Sequence, residues 1–214
     1  MKKIICLLVT VLLMAGLCAC SGNKDNDENS EKEQPNYNGF TYELLDDGNA
    51  EITGYILDTA NENIKMPDTI TIDSTEVKVT SIAAEAFKDN QYLKYVTLPV
   101  YIEKIGDNAF ANSTIENAIM VSSRELKSIG AGAFKGCKNL VQLDIPENIE
   151  NIGEGAFADT PALVVVTFRG NTKGLTKSMF ENSNSFTIST YEGNSEVLKF
   201  AEDNNYNTQI LTKG

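Results

Sequence analysis

The chain has 214 residues, a length suited to one domain, and a formal net charge of −12. That acidity argues against a nucleic-acid partner and against adhesion to anionic lipid head groups. The sequence holds no His, which excludes a histidine-based triad, general base or metal ligand.

At the N-terminus Lys2 and Lys3 precede an apolar run from Ile4 to Leu17. The run is too short to span a bilayer comfortably, and with its charged start it reads as the core of a secretory signal. It ends in Leu17-Cys18-Ala19-Cys20, which resembles the lipobox of bacterial lipoproteins. The resemblance implies cleavage after Ala19, so that residues 1–19 are a signal peptide, and lipidation of Cys20. It implies an address in the bacterial cell envelope, lipid-anchored at the outer membrane or cell surface. Loss of Lys2 and Lys3 takes the net charge from −12 to −14, so membrane attachment comes from the lipid alone. Cys6 and Cys18 leave with the signal and Cys20 is acylated. Cys137 is then the one remaining thiol, and no intramolecular disulfide can form.

Residues 21–36, SGNKDNDENSEKEQPN, hold no large apolar side chain. They cannot bury enough surface to offset chain entropy, so residues 20–36 are expected to be a lipidated, disordered acidic tether. Residues 40–56 follow as a hairpin, with Phe40, Tyr42 and Leu44 alternating before an Asp47-Gly48 turn and Ala50 and Ile52 after it. A further strand is predicted at Ile70-Thr71-Ile72, and Val77 and Val79 lead into the repeats. Residues 37–78 are assigned to an N-terminal β cap, because the first coil of a repeat array exposes apolar surface that an atypical unit must shield.

From residue 79 the chain repeats. Phe87, Phe110, Phe134, Phe157 and Phe180 are spaced by 23, 24, 23 and 23 residues, as are Ile82, Ile105, Ile129, Ile152 and Leu175 five places ahead of them. A fixed period of this size is the mark of a solenoid. Nine and eleven places after each Phe come Val96 and Leu98, Ile119 and Val121, Leu143 and Ile145, and Val166 and Phe168; Phe186 and Ile188 take the same roles in a degenerate fifth unit. A spacing of two puts each pair on one face of a strand. Leu93, Leu140 and Leu163 lie six places after their Phe, whereas Ile115 comes one place early. Short helical turns are expected just ahead of each Phe, with the Phe residues stacked as an internal ladder and the strands forming a parallel sheet along one side.

The phrase Ile-Gly-x-x-Ala-Phe-x-x-Cys-x-x-Leu-x-x-Leu-x-Ile-Pro, complete from Ile129 to Pro146, resembles the BspA-type leucine-rich repeat. The resemblance extends over about residues 40–210. It implies a strand-rich α/β solenoid with repeats of about 23 residues over residues 79–188 and a C-terminal cap over 189–214, with a short helix around Glu196 to Asp203. Unit two departs from the pattern: Ser122-Ser123 replaces the strand-ending Pro and one residue is inserted. The fifth unit lacks the Ile-Gly and Ala-Phe phrases.

Nothing in the sequence points to chemistry. Cys137 lacks a visible base or electropositive neighbour and is read as a packed core residue. Asp46 and Asp47 are read as solvated turn residues. The glycines at 106, 130 and 153 recur once per repeat, as a backbone requirement rather than a phosphate loop. No catalytic residue, metal or cofactor is expected, and the chain is not expected to be an enzyme. What remains is a surface. Positions eight and ten after each Phe should point outward, giving one row of Tyr95, Ala118, Gln142 and Val165 and another of Thr97, Met120, Asp144 and Thr167. Solenoids bind through such faces; an ordinary strand-surface role is the alternative for each residue. The family resemblance implies adhesion, with a host extracellular or bacterial surface protein as partner and the chain itself a monomer. The second reading is a glycan-binding accessory lipoprotein of an uptake system, with Tyr95 and Tyr101 stacking on sugars.

Overall fold

The computed structural model describes residues 39–55, 62–120 and 122–212. The predicted signal peptide, Cys20, the tether and Val121 lie outside the described residues. Residues Asn36–Gly214 form one compact unit, which holds the core.

Strands β1 (Phe40–Leu44) and β2 (Ala50–Tyr55) form the antiparallel hairpin, with a bulge between Thr41 and Tyr42. Next come β3 (Asn63–Lys65), β4 (Thr69–Ile72) and β5 (Thr75–Ile82). The first half of β5 pairs antiparallel with β4 across a turn at Asp73 and Ser74, both with positive φ, and its second half enters the repeats. Each repeat then contributes a longer strand and a two-residue one: β6 (Tyr95–Thr97), β7 (Lys104–Ile105), β8 (Asn117–Ile119), β9 (Ser128–Ile129), β10 (Gln142–Ile145) and β11 (Asn151–Ile152). The chain closes with β12 (Val165–Phe168), β13 (Thr187–Tyr191), helix α1 (Ser195–Asp203) and β14 (Asn207–Leu211).

The strands build two sheets. The longer runs β14-β13-β12-β10-β8-β6-β3 and is parallel throughout. The shorter runs β1-β2-β5-β7-β9-β11, with β4 on the flank of β5. This second sheet, which joins the hairpin to Ser81-Ile82, Lys104-Ile105, Ser128-Ile129 and Asn151-Ile152, is absent from the sequence reading. Both sheets extend one coil ahead of residue 79: β2 pairs parallel with β5, and β3 with β6.

Between the sheets the coils turn over the stretch that ends in each ladder Phe, at the Ile-Gly and Ala-Phe phrases in units two to four. In most coils the chain passes through successive hydrogen-bonded turns, such as Ala109 N–H to Gly106 C=O and Ala111 N–H to Asn108 C=O. A 3₁₀ turn forms only at Lys177–Phe180 among the described coils. The turns need left-handed backbone two places after each Phe, and those positions hold Asp89, Asn112, Gly136, Asp159 and Asn182, all with φ between 57° and 71°. The glycines of the Ile-Gly phrase answer a different need. A Cβ on Gly130 would lie 2.6 Å from the Asp107 amide nitrogen, and one on Gly106 would lie 2.5 Å from that of Ala84. Glycine is required there because adjacent coils approach backbone to backbone.

The core is a set of rows running along the solenoid. Phe87, Phe110, Phe134, Phe157 and Phe180 stack with centroid separations of 5.1, 5.0, 5.9 and 5.4 Å. Phe40 meets Phe87 edge-on at the N-terminal end, and Phe200 closes on Phe180 at the other. The spacing matches that of neighbouring parallel strands, so one residue per coil forms a continuous aromatic stack. A second buried row is Val79, Ile102, Leu126, Ile149 and Thr172.

Unit two corrects the expected strand register. Val96 pairs with Ala118, and Ala118 with Leu143. Its strand therefore starts one residue early, as Ile115 does. Ala118 and Met120 are buried, at 1% and 0% exposure, and Ile119 points out. The segment after the strand is correspondingly longer. There buried Ser123 donates its hydroxyl to the Pro99 carbonyl at 3.0 Å, which ties the insertion to the coil before it. In the fifth unit the inward pair is Ile188 and Thr190, which align with Val166 and Phe168. Phe186 instead packs between Phe180 and Tyr206, at 4.9 and 4.6 Å.

Candidate binding face

The outer side of the longer sheet carries two rows set by strand alternation. From the N-terminal end the first is Asn63, Tyr95, Asn117, Gln142, Val165, Thr187 and Asn207. The second includes Lys65, Thr97, Ile119, Asp144 and Thr167. Of the outward positions predicted from sequence, Tyr95 and Gln142 are exposed, and Thr97, Asp144, Val165 and Thr167 are half-buried. Ala118 and Met120 are absent from the face, because the early strand of unit two turns them into the core; Asn117 and Ile119 stand in their places.

A third row borders the face just ahead of the strands. Backbone hydrogen bonds join Glu62, Lys94, Glu116, Val141 and Val164 in sequence from coil to coil. Its N-terminal half is charged and tied together: Lys94 Nζ donates to Glu62 Oε1 at 2.5 Å, and the Tyr95 hydroxyl donates to Glu116 Oε2 at 2.7 Å. These contacts favour the protonated forms of Lys94 and Tyr95, whose pKa values rise chiefly through their hydrogen bonds to Glu62 and Glu116. Exposed pairs of this kind add little stability, but they orient their side chains. The other half is apolar. Val141 is 44% and Val164 60% exposed, and Ile119, in the second row of the face, is 39% exposed. Arg169 then grips Asp144 with two hydrogen bonds, 2.6 Å from Nε and 2.5 Å from Nη2. The sequence reading missed Ile119, Val141 and Val164. The early Ile115 is the signal that would have exposed Ile119.

The residues considered for chemistry sit elsewhere. Cys137 is fully buried; its thiol contacts the Phe110 carbonyl at 3.1 Å and the Ser113 hydroxyl at 3.4 Å, and burial pushes its pKa up to about 11. A thiol so held is a poor nucleophile. Asp46 and Asp47 are exposed at the hairpin tip, where Asp47 accepts from the Asn49 amide and side chain. The backbone bond from Asn49 is the main cause of its lowered pKa. Among the described residues no group of three or more His, Cys, Asp or Glu side chains is placed to hold a metal ion, and no helix is long and apolar enough to cross a membrane. Tyr101 is engaged by Lys78, whose Nζ lies 4.7 Å from the ring centroid.

A family model described as a BspA type leucine rich repeat region matches residues 57–187 in six copies. Among solved structures, the chain is similar to a leucine-rich repeat protein from Bacteroides capillosus ATCC 29799, with 28% identity, a TM-score of 0.54, and coverage of 62% of this chain and 95% of that one. It is also similar to a leucine rich cell surface protein from Faecalibacterium prausnitzii A2-165, with 24% identity and a TM-score of 0.52 over 71% of this chain. A third is the pneumococcal vaccine antigen PcpA, with 20% identity and a TM-score of 0.56 over 78%. The chain spans 43% and 47% of the lengths of these last two. No curated protein sequence matches. The six matched copies lie within residues 57–187, a stretch of more than half of the sequence that contains the Phe ladder: the chain belongs to the BspA-type leucine-rich repeat family.

Proposed function

We propose that this protein is a lipid-anchored component of a bacterial cell envelope whose solenoid binds a macromolecular partner without catalysis, in adhesion to a host extracellular or bacterial surface protein. The observation that carries the reading is a set of exposed apolar side chains about the outer side of the longer sheet, Val141 and Val164 in adjacent coils of its bordering row and Ile119 in its second row, among the oriented pairs Tyr95–Glu116 and Asp144–Arg169. Exposed apolar side chains with a polar rim are what a protein partner buries. The envelope address rests on Lys2 to Cys20; the cell-surface and vaccine-antigen relatives, below 25% identity, support the fold alone.

Binding of residues 37–214 to an array of host-matrix proteins, bacterial surface proteins and polysaccharides tests the reading. Ile119→Asp and Val164→Asp, both at exposed sites, should abolish saturable protein binding while the domain still unfolds in one cooperative transition, with the melting temperature of Val164→Asp unchanged. Saturable binding only to polysaccharide would replace this reading with the glycan-uptake one, and saturable binding to nothing would remove it. Anchoring is tested separately by metabolic labelling with a fatty acid: the full chain should incorporate label and Cys20→Ala should not.

A further inference from the structure

The two ends of the longer sheet differ. One inward row runs through every strand, Ile64, Val96, Ala118, Leu143, Val166, Ile188 and Thr208, and a second runs from the end of β6 onward as Leu98, Met120, Ile145, Phe168, Thr190 and Ile210. At the N-terminal edge the row is closed, with Ile64 at 6% exposure. At the C-terminal edge it is open. Thr208 is exposed, and Ile210 is 49% exposed although its neighbours Phe168 and Thr190 are at 0%. Helix α1 contributes Phe200 to the Phe180 end of the aromatic stack, but it leaves this part of the last coil uncovered.

The same strand is an unprotected edge. β14 pairs with β13 along all five residues, Asn207 to Leu211, and its other side pairs with no described strand. Natural edge strands are kept apart by Lys, Pro, bulges or shortness. The opposite edge, β3, shows three of these: three residues, Lys65 in the strand and Pro67 just after it. β14 shows none. Asn-Thr-Gln-Ile-Leu carries no charge, in a chain whose net charge is −12. Two copies can bring this strand together without opposing like charges within it.

We propose that β14 is completed by a second copy of the chain, pairing antiparallel with its counterpart about a two-fold axis at Gln209. This register sets Gln209 opposite Gln209, Asn207 opposite Leu211, and Thr208 opposite Ile210. The exposed Ile210 then lies against the partner's Thr208, in the position a further coil would fill. The contact is isologous and closes on itself, using all five free positions. A head-to-tail contact of β14 with β3 would match only the three residues of β3 and would leave open edges to propagate.

Sedimentation velocity of residues 37–214 over a wide concentration range, combined with hydrogen exchange of the β14 amides, tests this. A monomer–dimer equilibrium is expected, with β14 amides more protected at high concentration. Gln209→Lys places like charges across the axis at an exposed site. It should weaken association by at least about tenfold. Gln209 Oε1 also accepts from the buried Ser189 hydroxyl at 3.1 Å, so Gln209→Glu, which keeps that acceptor, should weaken association equally without changing the melting temperature. Mixing Gln209→Lys with Gln209→Glu should restore a dimer. A wild type that stays monomeric at all concentrations overturns the proposal and leaves the edge to an extended segment of another protein. A Gln209→Lys variant that dimerises as well as wild type overturns it too, since the interface then lies elsewhere. None of these outcomes depends on binding by Ile119, Val141 and Val164.

Discussion

Val96 of β6 pairs with Ala118 of β8, although Val96 lies nine residues after its Phe and Ala118 only eight after its own. This one-residue offset decides which side chains of unit two belong to the core. Met120→Ala should therefore cost about 2–5 kcal/mol, as truncation of a buried methionine does. Ile119→Ser, at a 39% exposed site, should cost less than about 1 kcal/mol. Urea unfolding of the two variants checks the order; the reverse order would restore the register counted from the phenylalanines.

The aromatic stack predicts a large effect at its centre. Phe134 is fully buried between Phe110 and Phe157, at 5.0 and 5.9 Å. Phe134→Ala should lose about 3–5 kcal/mol in denaturant unfolding. A loss below about 1 kcal/mol would contradict a ladder that each coil needs to bury its neighbour.

Thr172 predicts a gain. It continues the buried row of Val79, Ile102, Leu126 and Ile149, and its hydroxyl has no hydrogen-bond partner. Leaving a buried hydroxyl unpaired costs about 1–3 kcal/mol, and Val has nearly the same shape. Thr172→Val should raise the unfolding free energy by about 1 kcal/mol, measured by thermal and urea melts; an unchanged or lower value would mean that the hydroxyl is satisfied by solvent.

Cys137 predicts a pH dependence. Burial raises its thiol pKa from an ordinary 9.0 to about 11. The folded state holds the proton more tightly than the unfolded chain, so the contribution is complete below about pH 9 and is lost as pH rises to about 11. At about 1.4 kcal/mol per unit, the loss amounts to roughly 2–3 kcal/mol. Wild type should thus lose that much more stability than Cys137→Ala between these pH values. Parallel pH profiles would sink the idea. A thiol reagent should also modify native Cys137 far more slowly than the denatured chain.

Much of the fold was legible because a solenoid buries the same letters in every coil. The Phe and Ile spacings gave the ladder, the Asp47-Gly48 turn gave the hairpin, and the family resemblance implied the helix around Glu196. The candidate face was legible only where the pattern ran without a slip: Tyr95, Thr97, Gln142, Asp144, Val165 and Thr167 lie on the outer side of the sheet. Ala118 and Met120 do not, because side chains alternate every residue along a strand and a shift of one reverses them all. Val141 and Val164 were missed for another reason. They stand just before the strands, where spacing marks no face, and only the path of the backbone leaves them exposed.

By itself, then, the sequence determined the period, the composition of the buried rows and the family, because burial repeats a chemical requirement that can be read letter by letter. Tertiary structure decided the register of unit two, the second short sheet, the outward apolar side chains and the open edge at β14. Each of these depends on which backbone groups of neighbouring coils pair, and pairing is a relation between segments about 20 or more residues apart that no single repeat encodes.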